Sequence, residues 1–454
     1  MKRLFSLLTF VCLYVLALNV TGFFSLAQAQ TDTHTHKVGT APDRSAGEVL
    51  KDIWNRDKFT GDWRGLRTDL ADHGIDIGLR LSNYWQWVAD GGSKRTGRYG
   101  GTMDYRLNID GKKLFGLWEG LSLNMHARSR FGYDVNKYAG AFSLQNTGLL
   151  MPSPGSYHQT DVTGLQITQY LPFFYGRLAN ITLGKIDILD TVTMFFPSVG
   201  YGQEGFWNVN GLVTALPWFG AVAGLSLYGG YATTVNQKYM APETGILALG
   251  TRNVSTSWAS ISSSFKDGVW LAAFHRFYWD LKDKMGYFMV FAGGSTRDQP
   301  SNEPRNSIDI PGQDIESTST KQPWDIAAYL YQVFWQVEGN PNRKATVLIG
   351  GTGGPDNPQF AEWHLFGAVE AYGLMASRPD DRMGVSGYYN GLSGNFKDLV
   401  SPLIDLRDAW GVELYYNFAI NKWLHLTPDL QLLRNERKDD DFVVIPGIRL
   451  VMDF

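Results

Sequence analysis

The chain has 454 residues, is 44% hydrophobic and 19% charged, and carries a formal net charge of −3. That balance excludes a basic nucleic-acid binder and a polytopic α-helical membrane protein. Its 50 glycines and 14% aromatic residues suit closely packed strands ringed by Trp and Tyr, and the length fits either two or three soluble domains or one large barrel.

Residues 1–29 read as a signal peptide. Lys2 and Arg3 are basic, Leu4 to Leu18 is mostly apolar, and Ala27-Gln28-Ala29 is an A-x-A cleavage site ahead of Gln30. A transmembrane anchor fits less well, because Asn19 and Thr21 interrupt the apolar run. The single cysteine, Cys12, falls in this signal, which leaves the mature chain without a disulfide, a thiol nucleophile or a cysteine-based metal site. Residues 30–53 are expected to be a flexible amino-terminal segment, with His34 and His36 solvated rather than metal-bound. The folded domain is expected over 54–454. At its start, Asp62 or a neighbour caps a short helix through Leu70, Gly74 stops it, and a strand begins at Ile75.

From there the period is two. Ile75, Ile77, Leu79, Leu81, Trp85 and Trp87 alternate with Asp76, Gly78, Arg80, Ser82, Tyr84 and Gln86. In Met103–Asp110, Met103, Tyr105, Leu107 and Ile109 alternate with Asp104, Arg106, Asn108 and Asp110. In Leu121–Phe131, Leu121, Leu123, Met125 and Ala127 alternate with Asn124, His126, Arg128 and Arg130. Trp410–Ile420 repeats the pattern. The last stretch, Phe442 to Phe454, is apolar at every second residue and ends on an aromatic. A soluble sandwich alternates in the same way, but such a long, apolar, unprotected edge would be hazardous in water, and strand length and terminal aromatics favour a membrane barrel.

Gly211 to Ala232 carries no charge and could be mistaken for a membrane helix. Pro217 and the glycines argue instead for two strands joined near Trp218-Phe219-Gly220. Long gaps are expected at about 134–160, 188–207, 234–252, 296–322 and 392–408, with short turns between. Assigning the Ser-rich 253–266 to an outer loop puts every long gap on one side and gives 16 strands. The expected fold class is all-β: a single transmembrane antiparallel β-barrel of about 16 strands with a short amino-terminal helix.

The run GDWRGLRTDLADHGIDIGL resembles the amino-terminal signature of the OprB-type carbohydrate-selective porins, in which GDWGGLR precedes a short helix and the first strand. Arg64 stands where that family usually has Gly. PGIRLVMDF resembles the family's last strand. In outer-membrane barrels generally, such a strand closes on the first one and is read by the barrel-assembly machinery through its terminal residue, here Phe454. The resemblance implies an outer-membrane pore through which sugars diffuse passively.

Sugars are neutral and rich in paired hydroxyls. Guanidinium forks donate to them, carboxylates accept from them, and flat rings stack on their C–H faces. The pore-lining and sugar-contact candidates are therefore Arg80, Asp104, Arg106, His126, Arg128, Arg130, Glu204 and Trp207. An arginine-rich wall also suits a general or anion-selective porin. Segments 134–160, with Pro152, Pro154 and Tyr157, and 188–207, with Phe195, Phe196, Tyr201 and Trp207 around Glu204, are the candidates for narrowing the pore.

An outer-membrane hydrolase is the alternative of another class. Against it, the chain has no G-x-S-x-G elbow, H-E-x-x-H or P-loop, and GGTGG at 350–354 leads into Pro355. No cofactor or metal is expected. The partners expected are permeating sugars, outer-membrane lipid and lipopolysaccharide, and the assembly machinery, with both a monomer and a homo-oligomer compatible with the sequence; nucleic acid is not among them.

Overall fold

The computed structural model describes residues 45–454 apart from 141–144, 151, 153–157, 173–176, 188, 191–192, 194–202, 209–220, 232–241, 252–264, 304–306, 309–315, 318–319 and 402. Sixteen strands form one closed antiparallel barrel. The first four are β1 (Ile75–Val88), β2 (Thr96–Asp110), β3 (Leu121–Gly132) and β4 (His158–Pro172). Next come β5 (Arg177–Asp187), β6 (Ala221–Tyr231), β7 (Pro242–Gly250) and β8 (Val269–Leu281). They are followed by β9 (Lys284–Ser295), β10 (Trp324–Val337), β11 (Asn340–Gly353) and β12 (Ala361–Tyr372). The ring ends with β13 (Arg382–Leu392), β14 (Ala409–Ala419), β15 (Leu424–Arg434) and β16 (Val443–Asp453). β16 pairs back onto β1 from Arg80↔Asp453 to Gln86↔Gly447, which leaves the sheet without an open edge.

An even strand count puts Ile75 and Phe454 at the same end. The tight connections, such as 282–283 and 338–339, lie there too, and the long segments 133–157, 188–220, 296–323 and 393–408 lie opposite. This is the asymmetry of an outer-membrane barrel, with short periplasmic turns and longer outer loops. Alternation sorts the side chains as the sequence implies. On β16, Val443, Ile445, Arg449 and Asp453 are buried on the inner side, and Ile448 is exposed on the outer. Leu183, Ile246, Leu271, Ile326 and Leu365 are all more than half exposed, a cost in water that lipid removes. Among the described residues no helix is long and apolar enough to cross a membrane.

The expected count of 16 rests on two placements that the structure corrects. Ala221–Tyr231 is one strand paired directly with Arg177–Asp187, so no strand from 211–217 separates them. The expected turn near 218–220 lies outside the described residues. The long gap expected at 234–252 instead contains β7, which pairs with β6 and β8. The two errors cancel. The missed strand has a physical cause: the inner wall at β7 is itself apolar (Leu247 and Leu249), which erases the period of two. Most of the Ser-rich 253–266 lies outside the described residues, and β7 pairs with β8 without it.

The signal peptide lies outside the described residues. Helix α1 (Ala46–Asn55) occupies part of the segment expected to be flexible, opened by a capping box in which Ser45 and Glu48 satisfy each other's backbone N–H. Helix α2 (Leu66–Asp72) follows, and the Asp62 carboxylate accepts from the Thr68 amide and hydroxyl, both at 2.9 Å. Gly74, at φ +87°, ends it before β1.

Arg64 has φ 63°, the left-handed region in which a Cβ is unfavourable. Arg64→Gly is therefore expected to stabilise the fold by about 0.5–1 kcal/mol, read as a melting temperature raised by about one to two degrees in detergent.

Asp381 ties the turn before β13. Its carboxylate accepts from the Arg378 guanidinium at 2.8 and 2.9 Å, the Tyr416 hydroxyl at 2.8 Å and the Ala419 amide at 3.0 Å. Burial pushes its pKa up, but Arg378 and the other donors outweigh that and hold it below the ordinary carboxylate value. A lowered folded-state pKa contributes stability that is present above the unfolded value and lost as pH falls. The melting-temperature gap between wild type and Asp381→Asn should be widest near pH 6 and close below about pH 4.

Candidate functional site

Among the described residues of the long outer connections, 145–150 and 203–208 enter the barrel. The second lies along the inner wall from β13 through β16 to β1 and β2. Gln203 Nε2 donates to Asp104 at 2.6 Å, and Arg449 donates to the Gly205 carbonyl at 2.9 Å. The Phe206 ring meets Tyr415 edge-on at 4.8 Å. The backbone amides of Trp207 and Asn208 both donate to the buried Glu413 carboxylate.

Trp207 is fully buried between Tyr84 at 5.4 Å and the Arg449 guanidinium at 5.3 Å. Gly447 makes this seat possible, since a Cβ there would come within 2.7 Å of the Trp207 ring. The first segment locks onto the second: the Thr147 amide and hydroxyl donate to the Trp207 carbonyl at 2.8 and 2.7 Å, and Asn146 donates to Gln86 at 2.8 Å.

This packing divides the sequence-derived candidates. Arg128 is 0% exposed, Arg130 1% and Trp207 0%; His126 and Asp104 are also buried. These five side chains are packed away from the open lumen, His126 alone among them reaching the edge of a cavity. Two of them hold the inward segments, Arg128 donating to the Gly148 carbonyl at 3.5 Å and Asp104 accepting from Gln203, while Arg128 also donates to Asp104 at 2.6 Å and Arg130 to Asp134 at 2.7 Å. Alternation predicts the face a residue takes, but not that a loop will cover it.

Arg80, Arg106 and Glu204 do reach the lumen. Glu204 is 49% exposed and pairs with Arg80, whose guanidinium also forks onto Asp453 at 2.7 and 2.9 Å. Enclosure in the barrel works to raise the Glu204 pKa, but Arg80 and then Arg382 hold it at about 2, so the group stays ionised at neutral pH. Arg106 faces Asp190 at 3.4 Å, both part-exposed. Asp190 stood outside the sequence-derived candidates, and no periodicity could have found it, because it follows the end of β5.

Beside Arg106 and Asp190 lies a cavity of about 330 Å³, lined by Asn108, Asn124, Gln166, Thr168, Asn180 and Thr182 among others. Half of the lining residues carry neutral amides or hydroxyls, groups that both donate and accept, and Arg106, His126, Asp187 and Asp190 add ionisable groups. His126 sits at its edge with Nε2 2.8 Å from Asp104 and Nδ1 2.8 Å from Asp190, and with Asp187 at 3.8 Å. His126, Asp187 and Asp190 stand close enough to hold a metal ion. Both ring nitrogens already face carboxylates, and Arg106 and Arg128 supply the countercharge, so the group is an ion-pair network fastening the start of the inward loop.

The opposite wall is different. Phe274, Tyr287, Met289, Tyr329, Phe366 and Tyr388 are buried in a cluster that also takes in Phe206 and Leu189. Phe195, Phe196, Tyr201, Pro154 and Tyr157 lie outside the described residues, and Pro152 is buried.

A family model described as "Carbohydrate-selective porin, OprB family" matches residues 94–454. No curated protein sequence matches the chain. Among solved structures, the high-pH form of Pseudomonas putida OprB superposes with a TM-score of 0.71 at 17% identity, covering 88% of this chain and 99% of that one. The low-pH form gives 0.53 at 16% identity with the same coverage. At these identities the structures show a shared fold, and the family assignment rests on the sequence model. The chain belongs to the OprB family of carbohydrate-selective porins, channels of the outer membrane.

Proposed function

We propose that the pore passes monosaccharides and related small polyols in preference to anions, and that Arg80, Arg106, Asp190 and Glu204 contact the permeating sugar. The observation that carries this reading is the pairing of the lumen's exposed charges. Arg80 is balanced by Glu204 and Asp453, and Arg106 by Asp190. A row of unpaired arginines would concentrate anions, whereas paired charges leave little net field and a dense set of donors and acceptors. In the cavity that Arg106 and Asp190 help to line, Asn, Gln and Thr side chains add neutral donors and acceptors to the paired charges. Nothing in this arrangement couples transport to energy, so the flow is passive.

The same proposal takes residues 1–29 as a cleaved export signal and Phe454 as the residue that the assembly machinery reads. Phe454 is held at the seam, its amide donating to the Leu79 carbonyl at 3.0 Å and its carbonyl accepting from Arg67 at 2.7 Å.

Liposome swelling with purified protein tests the selectivity. Glucose is expected to enter faster than gluconate, its near-equal in size, and faster than a disaccharide. Rates set by size or by negative charge alone would remove the sugar preference and leave a general porin.

A further inference from the structure

Helix α1 presents an apolar face that the barrel does not cover. Val49, Leu50, Ile53 and Trp54 fall on one side at helical spacing, with Glu48, Lys51 and Asp52 elsewhere. Leu50 is 67% exposed and Trp54 53%. In a soluble protein such a face would turn inward; here it turns out.

Its location gives the reason. The Ile53 carbonyl accepts from Trp423 Nε1 at 2.8 Å, which fixes the helix end at the hairpin between β14 and β15. The Phe59 amide donates to the Asp453 carbonyl at 2.8 Å, and the Phe59 ring packs on Trp423 at 4.9 Å and on Phe454 at 5.6 Å. Phe454 continues the outward, apolar series of β16, so its contact with Phe59 joins the amino-terminal segment to the lipid-facing side of the barrel, while the buried Trp423 fixes it from beneath. Other apolar side chains at the same end, Leu66, Phe115 and Trp118, are also largely exposed.

We propose that α1 is an interfacial anchor, lying with Leu50 and Trp54 in the periplasmic leaflet beside the barrel seam. A short amphipathic helix binds membranes weakly when free, but the barrel already holds this one at the surface, so no basic face is needed to draw it there. Tryptophan suits the boundary because its ring is apolar and its N–H is polar. The anchor also fixes the chain just before the Trp63–Leu66 turn and the seam contacts of Phe59, independently of which solute the pore passes.

The mature chain lacks cysteine, so single-site labelling is clean. Leu50→Cys and, as the polar-face control, Lys51→Cys are labelled with an environment-sensitive fluorophore, and the mature protein from residue 30 onward is reconstituted into liposomes. Glucose swelling at the wild-type rate shows that each labelled protein is folded. Brominated phospholipid is expected to quench the position-50 probe at least twofold more than the position-51 probe, with a blue-shifted emission at 50 alone. Equal quenching by lipid at the two positions, or ready quenching of position 50 by aqueous iodide, would overturn the anchor. So would a position-50 probe shielded from both quenchers, since protein rather than lipid would then cover the face.

Discussion

Glu413→Ala is expected to release the inward segment and widen the pore. The Glu413 carboxylate is buried and accepts the backbone amides of both Trp207 and Asn208. Hydrogen bonds of this kind contribute about 0.5–1.5 kcal/mol each, so losing two weakens docking by roughly 1–3 kcal/mol, and the unpaired amides add to the cost of staying docked. That is enough to shift a docked–undocked equilibrium by a factor on the order of 10 to 100. Single-channel conductance should rise and disaccharides should enter at a rate near that of glucose. Glu413→Gln keeps one carbonyl acceptor and should give an intermediate change. Unaltered conductance and disaccharide exclusion in Glu413→Ala would mean that the contacts of Gln203, Glu204 and Gly205 hold the segment alone.

The second large effect concerns charge balance. Arg80→Gln leaves Glu204 and Asp453 without their shared counterion, and the pore should turn toward cations. Glu204→Gln frees Arg80 in part and should turn it toward anions. Zero-current potentials in a salt gradient read both shifts, which are expected to have opposite signs. The double variant should return close to the wild-type potential yet keep a glucose rate lowered several-fold, because ionic balance is restored but the hydroxyl-binding groups are gone. Arg80→Gln should also lower thermal stability, since Arg80 on β1 and Asp453 on β16 bridge the closing seam. If the double variant passes glucose at the wild-type rate, Arg80 and Glu204 are not sugar contacts.

Much of this protein is legible as a string of residues. The alternation of Ile75–Val88, Leu121–Phe131 and Phe442–Phe454 dictates strands, and it dictates which side of each strand meets lipid, because a strand's side chains point to opposite faces by geometry alone. The side holding most of the long loops follows from the gap lengths, whereas the count of 16 was reached only because an extra strand before β6 and a missing β7 cancel. The helix before β1 is written in Asp62 and Gly74. The resemblance at both ends of the chain pointed to the family that the sequence model then matched over residues 94–454.

What the pattern could not determine is which inner-face residues meet water. Arg80 and Arg128 look equivalent in sequence, each polar at alternate positions on an early strand. Arg80 lines the lumen and Arg128 is sealed, because Gly148 and its neighbours fold back over one and not the other. That outcome depends on Glu413, Gln431 and Arg449, more than 200 residues away from the loop residues they hold. The placement of β7 was hidden for a related reason, since Leu247 and Leu249 make its inner face as apolar as Ile246 makes its outer one. Periodicity is a local property set by backbone geometry. Burial inside a closed barrel is set by contacts between segments distant along the chain, and only the tertiary structure brings those together.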